Sequence, residues 1–371
     1  MYLTKLCNRF VTASSIALTA TLLSGCATVH PELISDSKLL INGTGTPVIA
    51  AAETQAVATL NLDSADDPEI WVDPNDSRRA LIYATDKKAG LYVYDIDGKQ
   101  KQFLPVGPMN NVDLRSGLKI AGLPDTVIAA SDRVKGGAAL FTLDTAALQT
   151  APWGFVAIPA SEAYGFCMGL TRDNRLSLIM VGKDGDVTQS VLTVENGLPK
   201  ATVVRQFAVG SQSEGCVADD VSGRLYIAEE NVALWQYGLD PASGNARTAV
   251  ESLPSQKLVA DIEGLTLLRE GAKTYLIASS QGDSAFAVWR VEGATPVYQG
   301  RFSVYPGNGI DAVTGTDGVA ALGGAVGPYA NGVVVMQDDS DTDGETPATT
   351  RQRQNFKIVD WNSIKAALKI E

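Results

Sequence analysis

A short apolar run opened by an acid or an amide returns six times along this chain, and that recurrence constrains the fold more than any other feature. The runs are DPEIWV from Asp67, NNVDLR from Asn110, GFCMGL from Gly165, EGCVAD from Glu214, EGLTLL from Glu263 and GIDAVT from Gly309, a step of about 48 residues. A second run follows each: LYVYDIDGK, ALFTLDT, SVLTVEN, ALWQYGLD, FAVWRVEG and GVVVMQDD. Gly, Asp and Asn punctuate the runs, and helical periodicity waits until WNSIKAALKIE at the C-terminus. The pattern predicts an all-β chain with a short C-terminal helix. A step of this size suits a four-stranded blade, so six occurrences predict a six-bladed β-propeller; a β-sandwich with coincidental spacing is the alternative. YDIDGK and its relatives read as hairpin turns, in which Asp-Gly supplies a positive φ.

The first residues stand apart. Lys5 and Arg9 precede the apolar FVTASSIALTATLL, and LSGC ends at Cys26. This predicts a secretory signal over 1–25, with Cys26 as a lipidated first residue, or else an ordinary signal cut elsewhere. Several acyl chains on one cysteine would anchor the protein stably. The expected layout is a signal peptide 1–25, a tether 26–52 and a propeller 53–371. The expected protein is an exported monomer, lipid-anchored to the bacterial cell envelope at the outer membrane. Cys167 and Cys216 remain in a compartment where disulfides persist, either paired or as two buried thiols, and spacing does not decide between them.

DSADDPEIWVDPND, from Asp63 to Asp76, sets six carboxylates within fourteen residues. The chain carries a net charge of −12 and a pI near 4.7, so nucleic acid and acidic membrane surfaces are poor partners. In a propeller the first strand of each blade lines the central channel. Asp66, Asp67, Asn111, Asp113, Tyr164, Glu214, Asp261, Glu263 and Asp311 would then gather at one mouth. Crowded like charges either take up protons or bind cations, and an oxygen-only set suits several Ca²⁺ ions better than Zn²⁺.

The one histidine, His30, falls in the expected tether. This excludes Ser-His-Asp triads, His-ligated zinc and histidine-dependent phosphatases. A Cys-x5-Arg phosphatase loop fails as well, because Asp173 and Ser222 stand where arginine is needed. Hydrolysis would have to run on metal, water and basic side chains. Lys87 in TDKKAGL, Arg133 in ASDRVKG and Lys183 in VGKDGD could form an anion site beside the carboxylates, or be surface salt bridges. The loop DDSDTDGE begins like an EF-hand calcium loop, but its twelfth position is Thr350 rather than Glu. A solvated acidic loop is the expectation there, and an isolated calcium turn the alternative.

DSADDPEIWVDP, TDKKAGLYVYDIDGK, NNVDLR, YGFCMGL, SEGCVADDVSGRLYIAEE, DIEGLTL, YLIASSQGDSAFAVW, TDGVAALG and NFKIVDW occur in one order across roughly residues 55–362. Together they resemble the β-propeller phytases. The resemblance implies a six-bladed propeller with calcium at one end of the channel, hydrolysing phosphomonoesters of phytate or its calcium complex. It implies two neighbouring phosphate sites, one that cleaves and one that holds. On matching positions, calcium ligands would come from Asp66, Asp67, Glu214, Glu230, Asp261, Glu263, Gln281, Asp311 and Asp317. Phosphate contacts would come from Lys87, Arg133, Tyr164 and Lys183, and the catalytic group would comprise Lys87, Lys183, Tyr164 and Glu214. Asp184 and Gly315 depart from the family pattern, and Cys167 and Cys216 stand where some members have Thr and Met. Two rival readings are a non-catalytic cell-surface binding module and a calcium-dependent lactonase or phosphotriesterase on a similar propeller.

Overall fold

The computed structural model describes residues 32–33, 43–293, 295–342, 350–351 and 353–371. The expected signal peptide, Cys26, His30 and the second half of the DDSDTDGE loop lie outside the described residues.

Six sheets of four or five strands succeed one another among the described residues, each running outward from an inner strand. The inner strands are Ala65–Asp73, Met109–Arg115, Ala163–Leu170, Ser213–Asp219, Ile262–Glu270 and Val319–Gly323. Each touches the next, and the last touches the first, so the ring closes around a channel. The protein is a six-bladed β-propeller with one short helix, Trp361–Leu368. Second strands such as Val127–Asp132 and Leu176–Gly182 are buried at every position. They lie between neighbouring blades, which is why they read as unbroken apolar runs rather than alternating ones. The outer strand Leu198–Ala208 is mostly exposed.

Apolar side chains fill the wedges between blades. Trp71, Phe141 and Met168 belong to one cluster, and Tyr92, Tyr94 and Phe356 to another that seals the first blade against the last. Each such side chain contributes roughly 1.5–3 kcal/mol by leaving water. Polar latches tie the inner strands together. The Val112 amide donates to Asp67 (3.0 Å), the Met168 amide to Asp113 (2.6 Å) and the Ala321 amide to Thr266 (2.9 Å). A disulfide between Cys167 and Cys216 joins the inner strands of blades 3 and 4.

Two details differ from the repeat. GIDAVT was expected to be the sixth inner strand, but that strand is Val319–Gly323, and GVVVMQD is the second strand of its blade. Residues 311–318 form a buried loop instead, because side chains satisfy its backbone. Asp338 accepts from the Thr314 amide, Ser284 from Gly315 and Gln337 from Asp317. The sixth blade is completed by both ends of the chain, Asn355–Asp360 and then Ala52–Glu53. The segment expected to be tether joins the fold earlier still, since Thr46–Ile49 adds a parallel fifth strand to blade 5.

Candidate metal and phosphate site

Each blade offers two addresses at the channel mouth. One is the start of the inner strand, and the other is the residue directly after the second strand. At the second address the six blades present Lys87, Arg133, Lys183, Glu230, Gln281 and Asp339 in order. Three cations are followed by three oxygen donors, so one geometric position is used for two kinds of chemistry. Glycines let the inner strands converge here. A Cβ at Gly165 would lie 1.9 Å from the Glu214 carbonyl oxygen, and one at Gly215 would lie 1.9 Å from that of Glu263.

Glu214, Glu230 and Glu263 are buried, and one carboxylate oxygen from each lies within 4.8 Å of the other two. Burial pushes Glu214 up to about 7, although Lys87 opposes the shift. Burial, then the charge of Asp261, pushes Glu230 up to about 7 as well. Glu263, Asp66 and Asp67 are raised well above the usual carboxylate range, chiefly by burial and then by their acidic neighbours or, for Asp66, against the pull of Lys87. Asp66 Oδ2, Glu230 Oε1 and Glu263 Oε2 are buried with no hydrogen-bond partner. Orphaned carboxylate oxygens facing like charge are a poor arrangement for protons alone and a good one for a hard divalent cation. Gln281 donates to Asp317, and Asp261 accepts the Gln281 amide through its carbonyl at 3.0 Å.

Lys87 is the cation within the acidic run. Its ammonium lies 2.8 Å from Asp63, 2.8 Å from Asp317 and 3.6 Å from Asp66. Burial works against its charge, but these acids hold its pKa well above the ordinary lysine value. Tyr164 stands between the other two cations: the Arg133 guanidinium is 5.6 Å and the Lys183 ammonium 5.4 Å from its ring centroid. Burial, followed by the charges of Glu214, Glu263 and Glu230, raises the pKa of the Tyr164 hydroxyl far above that of a free phenol. Cationic and carboxylate halves thus lie beside one another at this ring.

Two expected members of the mouth lie elsewhere. Asp311 forms a second candidate metal cluster with Glu53 and Asp341, their oxygens again within 4.8 Å. Lys357 enters that cluster, 2.6 Å from both Glu53 and Asp311 and 3.2 Å from Asp338. Asp311 parts from the mouth because the loop 311–318 precedes its inner strand instead of forming it. Asp113 is the other departure. It pairs with Arg115 at 2.7 Å and lines a cavity of about 470 Å³ further along the channel, with Glu69 and Asp220. In the described half of the loop expected to be solvated, Asp338, Asp339, Ser340 and Asp341 are buried.

Sequence reasoning missed Asn110 and Glu162. The Asn110 amide donates to Glu214 at 2.7 Å, while its oxygen accepts from Arg133 at 3.1 Å. Asn110 was visible as the first residue of NNVDLR; nothing in the local sequence marks Glu162, which ion-pairs with Arg133.

Comparison with known proteins gives the family. Residues 13–371 match the family model described as Phytase. A curated 3-phytase of Bacillus subtilis (strain 168) is 37% identical over 330 residues, covering 85% of this chain and 84% of that protein. Among solved structures, a protein from Lactobacillus plantarum aligns over 81% of this chain and 89% of its own, at 16% identity and a TM-score of 0.45. With the family match spanning nearly the whole chain and a relative at this identity and coverage, the chain belongs to the Phytase family.

Proposed function

We propose that this chain is a calcium-dependent phosphomonoesterase that hydrolyses phytate, free or as its calcium complex, to lower inositol phosphates and phosphate. The observation that carries the reading is Asn110, whose amide donates to Glu214 while its oxygen accepts from Arg133, tying the cations that pack against the Tyr164 ring to carboxylates with unmet oxygens. Family membership and identity to a 3-phytase support the substrate and the reaction.

Asp66, Asp67, Glu214, Glu230, Asp261, Glu263, Gln281 and Asp317 would hold calcium at the mouth, and Asp311 would do so in the second cluster. Calcium bound there supplies positive charge that offsets the substrate's own and makes water more acidic for in-line attack on phosphorus. Lys183, with Lys87 behind it, neutralises the phosphate to be cleaved, and Arg133 holds its neighbour. With both cations resting on one ring, Arg133 and Lys183 can be no more than about 11 Å apart, which suits adjacent phosphates on one small polyol. Asn110 fixes the Glu214 carboxylate between the two halves.

Phosphate release from phytate, with calcium and after chelation, tests the reading; full activity in chelator would falsify it. Calcium binding without release would favour the binding module, and turnover of lactones or phosphotriesters instead would favour the other rival. The trio of phosphate-gripping cations weighs against both. We further propose residues 1–25 as a signal peptide, lipidation at Cys26, outer-membrane anchoring and a monomeric propeller. The basic start followed by LSGC supports the first two. Release of the protein by Cys26→Ser, and a single-chain mass by light scattering, are the expected results.

A further inference from the structure

We infer that Glu162 is a positioning residue for substrate binding: it sets the orientation in which Arg133 meets the non-scissile phosphate. The inference rests on the proposed function. Glu162 is the last residue before the inner strand of blade 3, and Arg133 follows the second strand of blade 2, so the pair spans a blade boundary. One carboxylate oxygen of Glu162 accepts from Arg133 Nε at 2.7 Å and also from Nη2. Asn110 Oδ1 accepts from Nη1 at 3.1 Å. A guanidinium has five N–H groups. Three are thereby spent, and one remains on each terminal nitrogen, the number that a phosphate takes in a two-point grip. The Tyr164 ring supports the same group at 5.6 Å. Arg133 is therefore held on three sides before any ligand arrives. The ordering of a long side chain is completed in advance, and binding gains by that amount.

The carboxylate also carries a negative charge at the rim of an anion site, where simple electrostatics says it should hinder phosphate. The two effects have opposite signs, so they can be told apart. If positioning dominates, Glu162→Ala raises KM for phytate about five- to tenfold with kcat within twofold, and Glu162→Gln, which keeps the accepting oxygen, stays within threefold of wild type. Glu162→Lys adds a cation to the site and yet raises KM further, because it repels Arg133. In the Arg133→Met background, Glu162→Ala should change KM no more, since the residue acts only through Arg133. Steady-state kinetics on phytate with calcium, for the wild type and these variants, reads all of this.

A lowered KM in Glu162→Ala or Glu162→Lys would overturn the inference in favour of competition for Arg133. So would equal losses from Glu162→Ala with and without Arg133. Should Glu162→Ala not fold, Glu162→Lys decides by the direction of its KM change, and calcium-dependent melting confirms that the variants are folded. Failure of the wild type to hydrolyse phytate at all would instead overturn the proposed function, which separates the two.

Discussion

Glu230→Gln should stabilise the metal-free protein above neutral pH, the reverse of what most substitutions at buried positions do. Burial, and then Asp261, move the Glu230 carboxyl from 4.5 to about 7. A carboxyl with a raised folded-state pKa binds its proton more tightly in the native protein. Stability is therefore greatest at low pH and falls as pH climbs from the unfolded value through 7. A shift of this size is equivalent to about 3 kcal/mol once the group is ionised. Glutamine keeps the size and removes the charge. Because Glu214 and Glu263 share the repulsion, the expected net gain is about 1–3 kcal/mol rather than the full amount. In chelator at pH 8 the variant should melt several degrees above wild type, and the two should converge near pH 5. With excess calcium the gap should narrow, since the wild type gains about 2.7 kcal/mol at a hundredfold excess over Kd and the variant gains less. Calorimetric melts across pH 5–8, with chelator and with calcium, measure each of these. A variant that melts below wild type in chelator at pH 8 would refute the account of the cluster as charges awaiting a cation, as would a chelated wild-type melt that is flat across this range.

Lys183→Met should lower kcat on phytate by one to two orders of magnitude while calcium-dependent melting stays at wild type; an unchanged kcat removes the residue from the reaction. Arg133→Met should raise KM more than it lowers kcat, and should hurt phytate more than a simple monophosphate, which cannot occupy two sites. Lys357→Met leaves Glu53, Asp311 and Asp338 without their shared cation and should cost about 3–5 kcal/mol in chelator, partly restored by calcium; a chemical-denaturation midpoint at wild type would count against it. Replacing both Cys167 and Cys216 by serine opens a cross-link between residues 49 apart in sequence and should cost about 2–4 kcal/mol, read as a lower urea midpoint.

The inner strands of blades 1 to 5 could be read from the sequence because each begins with polar residues for the mouth and continues apolar toward the channel wall. GIDAVT copies that pattern without being such a strand. Its backbone partners are side chains of Asp338, Ser284 and Gln337, which come from other segments, and no local pattern reports them. The same limit hid the burial of Asp338–Asp341, a run that looks solvated until Lys357 is set among its acids. Composition marked Lys87, Arg133 and Lys183 as cations near carboxylates. It did not show that Lys87 lies deep among three acids while the other two flank a tyrosine ring, since that depends on how far each loop reaches over the mouth. Glu162 was the least legible of all, being one acid among many until its partner in the next blade is known.

The shared sixth blade sets a timetable for the molecule. Ala52 and Glu53 pair with Ile358 and Lys357, about three hundred residues further along the chain. Blades whose strands follow one another in sequence can form one by one, but blade 6 keeps only two of its four strands until Asn355–Asp360 and Ala52–Glu53 have found their places. Contacts of such wide sequence separation are slow to find. Until then the outer edge of Gly332–Asp338 lacks its partner. The outer half of blade 6 is therefore the seam of the molecule, where two strands that are neighbours in space are joined by nothing local in the sequence.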